Sequence, residues 1–135
     1  MRRIIRNIVR FLIDILKVKE MKVIKTKSLA KEKIIGLKLI DTISSSYNDL
    51  VNILGEPTFP SEKNGKTSNE WVVKHKKDYY LIKNWGVLEE DEYEEYWVYG
   101  DTDAPVLCKK FIIKLQHLSN LEMKIDEFID IYSQK

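Results

Sequence analysis

The sequence has few of the residues from which most catalytic and metal sites are built. It contains one cysteine, Cys108, and two histidines, His75 and His117. A single cysteine excludes a disulfide within the chain, and these three residues lack the paired spacing that is typical of zinc sites. Cys108 falls among apolar residues at helical spacing, which predicts a buried and unreactive thiol. We therefore predict no catalytic residue, no metal site and no cofactor.

Long apolar runs and glycine-rich loops are also missing. No run approaches the roughly 20 apolar residues that a membrane-spanning helix needs. The 5 glycines form no phosphate-binding loop, and no Gly-x-Ser-x-Gly elbow presents a serine nucleophile. With 135 residues, of which 33% are charged, the chain is typical of one soluble domain. Its low cysteine content predicts a reducing, cytoplasmic location.

Charge is distributed unevenly along the chain. Residues 1–38 contain 12 Lys and Arg against 3 Asp and Glu, whereas residues 39–135 contain 11 against 18. We predict a basic amphipathic helix with a Lys-rich linker over residues 1–33 and a single α+β domain over residues 34–135. A basic arm on an acidic body has three interpretations: it binds a polyanion, it binds a membrane surface, or it folds onto its own body.

The arm begins with a predicted helix over residues 3–18, in which a narrow polar stripe interrupts a wide apolar face. We expect this face to be buried in a membrane surface, in a partner, on the domain itself or on a second copy. Translation from Met21 is an alternative in which the helix is absent. The candidate residues for a membrane or polyanion contact are Arg2, Arg3, Arg6, Arg10 and Lys17.

The stretch over residues 46–85 predicts a short helix followed by a β-hairpin. Ser46 is a favourable N-cap, and Gly55 is placed to end the helix. Its apolar residues recur at helical spacing, namely Tyr47, Leu50, Val51 and Leu54. Two alternating segments follow and are joined by a tight turn at Lys77–Asp78. We expect the helix to pack against strand residues such as Trp71.

The predicted fold is α+β, with a three- to four-stranded, mostly antiparallel sheet packed with a short central helix and two C-terminal helices. Strands over residues 34–40 and 96–99 would join the hairpin. The first C-terminal helix is predicted to end near His117. The second is predicted to begin at Ser119, because Ser119 and Glu122 have the spacing of a capping box.

Two segments resemble a family of small proteins of tailed phages and large DNA viruses: Leu54-Gly55-Glu56-Pro57-Thr58-Phe59 and Glu70-Trp71-Val72-Val73. Later strands of that family carry an aspartate and a histidine that are absent from Ile82-Lys83-Asn84-Trp85 and Trp97-Val98-Tyr99-Gly100. The resemblance covers residues 36–115 and implies a virus-encoded protein in the host cytoplasm, without an assigned activity. Locally, the helix, turn and Trp-bearing strand are also similar to small outer-membrane assembly lipoproteins and β-lactamase inhibitor proteins, which lack catalytic residues.

Two sets of residues are candidates for binding a partner. The run of carboxylates after Trp85 lacks the alternate ligands of a calcium loop, and predicts a solvated acidic loop. Docking of a basic partner and weak binding of a divalent cation are the alternatives for this loop. In the sheet, two tyrosines have the parity opposite to Leu81 and Val98, and we predict that they are exposed. The candidate residues are Tyr80, Tyr99, Glu89, Glu90, Asp91 and Glu92.

The favoured hypothesis is a non-enzymatic binding or inhibitory module, encoded by a virus, that engages a host protein through its sheet face or acidic loop. The alternative is a nucleic-acid- or nucleotide-binding accessory protein that uses the basic N-terminal arm. A third hypothesis, an enzyme, requires a polar cleft that the sequence does not indicate. Peripheral membrane binding and self-association through residues 3–18 both stay open.

Overall fold

The computed structural model describes residues 2–17, 21–61, 68–84 and 92–133 of the chain. These residues form the predicted α+β fold, in which a five-stranded sheet carries helices on both of its sides. The elements in chain order are α1 (Arg2–Lys17), β1 (Met21–Val23), α2 (Lys27–Lys33), β2 (Lys38–Ser45), α3 (Tyr47–Leu54), β3 (Glu70–His75), β4 (Asp78–Lys83), β5 (Glu94–Gly100) and α4 (Pro105–Ser133).

The sheet has the strand order β1-β3-β4-β5-β2, and each neighbouring pair is antiparallel. Edge strand β1 comes from the Lys-rich segment that was predicted to be a linker, where Met21 pairs with His75 and Val23 with Val73. Helix α2 follows, and its Ala30 is buried against the sheet. The linker prediction was wrong. The segment belongs to the domain from residue 21 onwards, because β1 pairs with β3 and Ala30 packs against the sheet.

Helix α3 forms as predicted. The Ser46 hydroxyl oxygen accepts a hydrogen bond from the Asp49 backbone N–H at 3.1 Å, which satisfies one free donor of the first turn. Gly55 ends the helix with a φ of 92°, a conformation that favours glycine. Its carbonyl oxygen accepts a hydrogen bond from Trp71 Nε1 at 2.9 Å, and Leu50 is fully buried. The expected docking of this helix onto β3 is therefore confirmed.

Two predicted segments begin or end elsewhere in the structure. The hairpin turn lies at Lys76–Lys77, one residue earlier than predicted, and Lys76 takes a φ of 57° there. The predicted strand over residues 34–40 begins as a turn, with Gly36 at a φ of 84°. Strand β2 starts only at Lys38 and has a register shift between Leu39 and Asp41.

The main core lies between one side of the sheet and the two helices α3 and α4. The Tyr80 ring stacks on Phe111 with 3.8 Å between ring centres, and the rings of Trp71 and Tyr96 pack edge to face. Tyr80 is only 1% exposed, so its predicted place in an exposed tyrosine pair was wrong. The prediction placed Leu81 and Val98 on one face of the sheet. In the structure Leu81 pairs with Tyr99, so Leu81 and Val98 lie on opposite faces, because a shift of one residue in register moves a side chain to the other face.

Helix α4 is one continuous helix of 29 residues, not the predicted pair. Ser119 lies in its middle and is buried, where its hydroxyl hydrogen-bonds the Ser45 hydroxyl at 2.7 Å. Glu122 is also buried and binds Arg10 of α1. The capping-box pattern was misread because both polar side chains serve tertiary contacts. His117, predicted at a helix end, lies mid-helix and is exposed.

Candidate interaction surfaces

Helix α1 is attached to α4 by charged groups. Two guanidinium nitrogens of Arg10, Nη1 and Nη2, bind the Glu122 carboxylate, with 2.8 Å between Nη2 and Oε2. One turn away, Arg6 pairs with Asp126. The numbering of the two pairs runs in opposite directions, so α1 and α4 are antiparallel. Arg10 Nη1 also reaches the backbone oxygen of Asn52 in α3, at 3.5 Å.

The two ion pairs differ in their access to water. The Glu122 side chain has 0% exposure and that of Arg10 has 23%, whereas Arg6 and Asp126 are 37% and 40% exposed. Ion pairs of the half-exposed kind contribute about 0–1 kcal/mol. Removing one partner of a buried pair leaves an uncompensated charge and costs about 3–5 kcal/mol. Arg10 is therefore expected to contribute more than Arg6 to the attachment of α1.

A third carboxyl group, that of Asp49, lies in the same polar region. The Tyr93 hydroxyl donates a hydrogen bond to it. Burial raises the pKa of Asp49; the bond from Tyr93 opposes this, and the nearby charges of Asp126 and Glu122 raise the pKa further. Burial, together with the bond to Asp49, also raises the pKa of Tyr93. A cluster of this kind attracts cations, and the arginines of α1 fill that role here.

Arg6 and Arg10 of α1 point towards α4, and part of the apolar face of the helix points outwards. We define the outer apolar row as Ile4, Ile8 and Phe11, which are 62%, 56% and 64% exposed. They follow one another at spacings of four and three residues, so they line one face of the helix. This part of the apolar face is therefore not packed on the core, where an amphipathic helix usually places its apolar stripe.

The predicted arm residues therefore have different positions. Arg6 and Arg10 are engaged in ion pairs with the body, and Arg3 is exposed. The predictions for Arg2 and Lys17 concern side chains outside the described part of the structure. The signal for the internal pairing was present in the sequence, since Arg6 and Arg10 match Glu122 and Asp126 in their four-residue spacing.

A second surface lies on the side of the sheet away from α3 and α4. We define the aromatic sheet surface as Leu39, Thr42, Lys83, Trp97 and Tyr99, which neighbour one another across β2, β5 and β4. The Lys83 ammonium lies 5.0 Å from the centre of the Tyr99 ring, and Leu39 is 55% exposed. Tyr99 was predicted to be exposed, but it is half-buried and packs against the cluster of Val72 and Leu81. Leu39, Lys83 and Trp97 were not predicted as part of this surface.

The acidic loop can be described only at its end. Glu92 is exposed, whereas the predictions for Glu89, Glu90 and Asp91 fall on residues outside the described ranges. Within those ranges, no group of three or more potential ligand side chains is arranged to hold a metal ion.

Cys108 and His75 are both held in structural positions. Cys108 lines an open depression of about 430 Å³ beside Ile40 and Ile112, but its thiol donates to the Asp101 backbone oxygen at 3.2 Å. Burial raises the pKa of this thiol, which disfavours the reactive thiolate. The centre of the His75 ring lies 5.5 Å from the centre of the Phe111 ring, and burial lowers the pKa of His75.

No helix within the described ranges has the length and apolar character needed to cross a bilayer.

Comparisons with known proteins add no family to this description. No protein-family model, no curated protein and no solved structure matches the chain. The resemblance to the viral family therefore stays a prediction from the sequence.

Proposed function

We propose that this protein is a non-enzymatic binding module that engages a partner protein through the aromatic sheet surface. The observation that carries this proposal is the unequal covering of the sheet. Helices α3 and α4 bury one side completely around Trp71 and Tyr80. On the other side α2 covers only the neighbourhood of Val72 and Leu81, and the rows beside it stay partly open.

The open rows have the composition of a recognition surface. Aromatic side chains in partly buried positions supply a large contact area with little loss of side-chain entropy, and such residues are common at the centres of protein interfaces. Trp97 and Tyr99 provide that centre, and exposed Leu39 lies beside them. Lys83 at the edge favours a partner whose apolar patch is bordered by carboxylates. If the resemblance to viral proteins holds, the partner is a host protein.

A role without catalysis is supported by how the described ionisable groups are used. Glu122 binds Arg10, Asp49 binds Tyr93, and Cys108 is a buried thiol with a raised pKa. Each of these groups is occupied by a structural neighbour, and a general base or nucleophile needs access to substrate instead.

The test is a pull-down from a lysate of the cells in which the protein naturally occurs, with two matched variants. Leu39→Asp places a charge in the aromatic sheet surface, and Ile113→Asp places the same charge on the outer face of α4, where Ile113 is 59% exposed. We expect a partner that is retained by the unmodified chain and by Ile113→Asp but lost with Leu39→Asp. Recovery of the same proteins by all three chains would refute the proposal.

The alternative, binding of nucleic acid, rests on a small basic cluster next to this surface. The ammonium groups of Lys33 and Lys74 lie 5.2 Å and 5.8 Å from the centre of the Tyr79 ring, and Lys22 pairs with Lys74 across β1 and β3. The lysines lie over the ring face that a base would need for stacking, so the cluster suits phosphate contacts better than base contacts. Affinity for an oligonucleotide that falls steeply with salt and is lost in Lys74→Glu would favour this alternative.

A further inference from the structure

We propose that a polar depression at one end of β4 binds a small ligand that carries both a phosphate group and neighbouring hydroxyl groups, as a ribose phosphate does. The depression is open, has a volume of about 310 Å³, and lies where the end of α2, the hairpin turn and the end of β5 meet. This site is separate from the aromatic sheet surface, because Tyr79 in the depression and Lys83 in that surface lie near opposite ends of β4.

Lysine side chains bring positive charge to the depression. Lys33 at the end of α2 and Lys77 in the hairpin turn line it. The ammonium groups of Lys33 and Lys74 lie 5.2 Å and 5.8 Å from the centre of the Tyr79 ring, and Lys22 faces Lys74 across β1 and β3. Within the part of the chain that the structure describes, none of these lysines forms an ion pair with a carboxylate. A bound phosphate would therefore relieve a repulsion between like charges that the chain itself leaves in place.

Two carboxylates in the same depression restrict the kind of phosphate ligand. Asp78 and Asp101 line it together with the lysines, and Asp101 Oδ1 is oriented by the backbone N–H of Asp103 at 2.9 Å. A carboxylate repels phosphate but accepts hydrogen bonds from hydroxyl groups, as acidic residues do with ribose in dinucleotide sites. A ligand with a phosphate at one end and hydroxyl groups at the other satisfies both kinds of side chain. The continuous phosphate backbone of a nucleic acid carries a charge at every nucleotide and would meet the two carboxylates unfavourably.

The size of the depression and its exposed backbone also suit a small ligand. Its volume of about 310 Å³ is at the lower end of the range for small-molecule sites. Gly36 lines it with a φ of 84°, and a Cβ at this position would meet no atom within 4 Å. The backbone of this turn is therefore open to close approach by a ligand, which is a common use of glycine.

The test is isothermal titration calorimetry of the full chain with ribose 5-phosphate, and with ribose and inorganic phosphate as the two separate halves of that ligand. Lys33→Gln removes one ammonium group from the depression. The matched control is Lys31→Gln, which changes an exposed lysine of the same helix that does not line the depression. A circular dichroism spectrum verifies that both variants are folded.

We expect ribose 5-phosphate to bind the unmodified chain and Lys31→Gln at least about tenfold more tightly than either ribose or inorganic phosphate, because it alone meets both the lysines and the carboxylates. Lys33→Gln should bind ribose 5-phosphate about tenfold more weakly, since it loses a charge-assisted hydrogen bond. Adenosine monophosphate then separates the two sources of this chemistry. Tighter binding than that of ribose 5-phosphate assigns the site to a nucleotide, and equal or weaker binding assigns it to a sugar phosphate.

Three results would overturn the proposal. The first is that ribose 5-phosphate does not bind the unmodified chain, or binds no more tightly than inorganic phosphate. The second is an equal loss of affinity in Lys33→Gln and Lys31→Gln. The third is binding of a single-stranded oligonucleotide without binding of ribose 5-phosphate, which would assign the lysines to nucleic acid.

Discussion

Helix α4 makes two contacts of opposite chemistry, one with the sheet and one with α1. Towards the sheet, α4 presents apolar side chains such as Phe111 and Leu115, which are fully buried. Towards α1 it presents Glu122 and Asp126, which bind arginines. The carboxylates of α4 therefore help to determine the face with which α1 docks.

The competing effects on the orientation of α1 are similar in magnitude. A buried carboxylate such as Glu122 loses about 3–5 kcal/mol when its cationic partner is removed. Burying one isoleucine side chain gains about 1.5–3 kcal/mol. Turning α1 over would bury its outer apolar row but would leave Glu122 without Arg10. The row contains three such side chains, each more than half exposed, so leaving it in water costs about as much as the ion pair contributes.

The largest expected effect tests the apolar contact of α4. Phe111→Ala removes a ring that stacks on Tyr80 in the core, and should lower the free energy of unfolding by about 3–5 kcal/mol. Ile113→Ala on the outer face of the same helix should change it by less than about 0.5 kcal/mol. Urea unfolding measures both values. Similar losses in the two variants would mean that α4 is packed on a different face.

A smaller effect concerns His75 at the edge of the same core. Burial lowers the pKa of His75, so the folded chain accepts this proton at a lower pH than the unfolded chain does. Above the ordinary pKa of 6.5 the folded chain keeps its full stability. Stability is lost as the pH falls from 6.5 through the lowered pKa, because the unfolded chain binds the proton first.

His75→Leu should therefore reduce the loss of stability between about pH 7.5 and about pH 5.5, compared with the unmodified chain. The matched control is Ile113→Leu, a change at an exposed position of α4 that alters no ionisable group. It should leave this pH dependence unaltered, as measured by thermal unfolding at each pH. An equal reduction in both variants would place the titrating group elsewhere.

Local signals in the sequence predicted the segments in which neighbouring residues decide the structure. The Ser46 cap, the Gly55 terminus and the apolar residues between them specify α3 without information from the rest of the chain. The hairpin of β3 and β4 was predicted for the same reason, although its turn was displaced by one residue.

The errors arose where a distant partner determines the role of a residue. Ser119 and Glu122 have the spacing of a cap, but Ser45 and Arg10 hold them inside a continuous helix. Strand β1 is too short to show an alternating pattern, and its pairing with β3 alone defines it. Tyr80 and Tyr99 were assigned to one face because the register of β4 and β5 is not encoded locally.

A double-mutant cycle between Arg10 and Glu122 tests most directly whether α1 is held by its polar side. Arg10→Gln, Glu122→Gln and the double variant are compared in urea unfolding, with Arg6→Gln and Asp126→Asn as a control cycle. We predict a coupling energy of about 2–3 kcal/mol for the buried pair and less than about 1 kcal/mol for the half-exposed pair. A coupling energy near zero between Arg10 and Glu122 would show that α1 does not dock through its arginines.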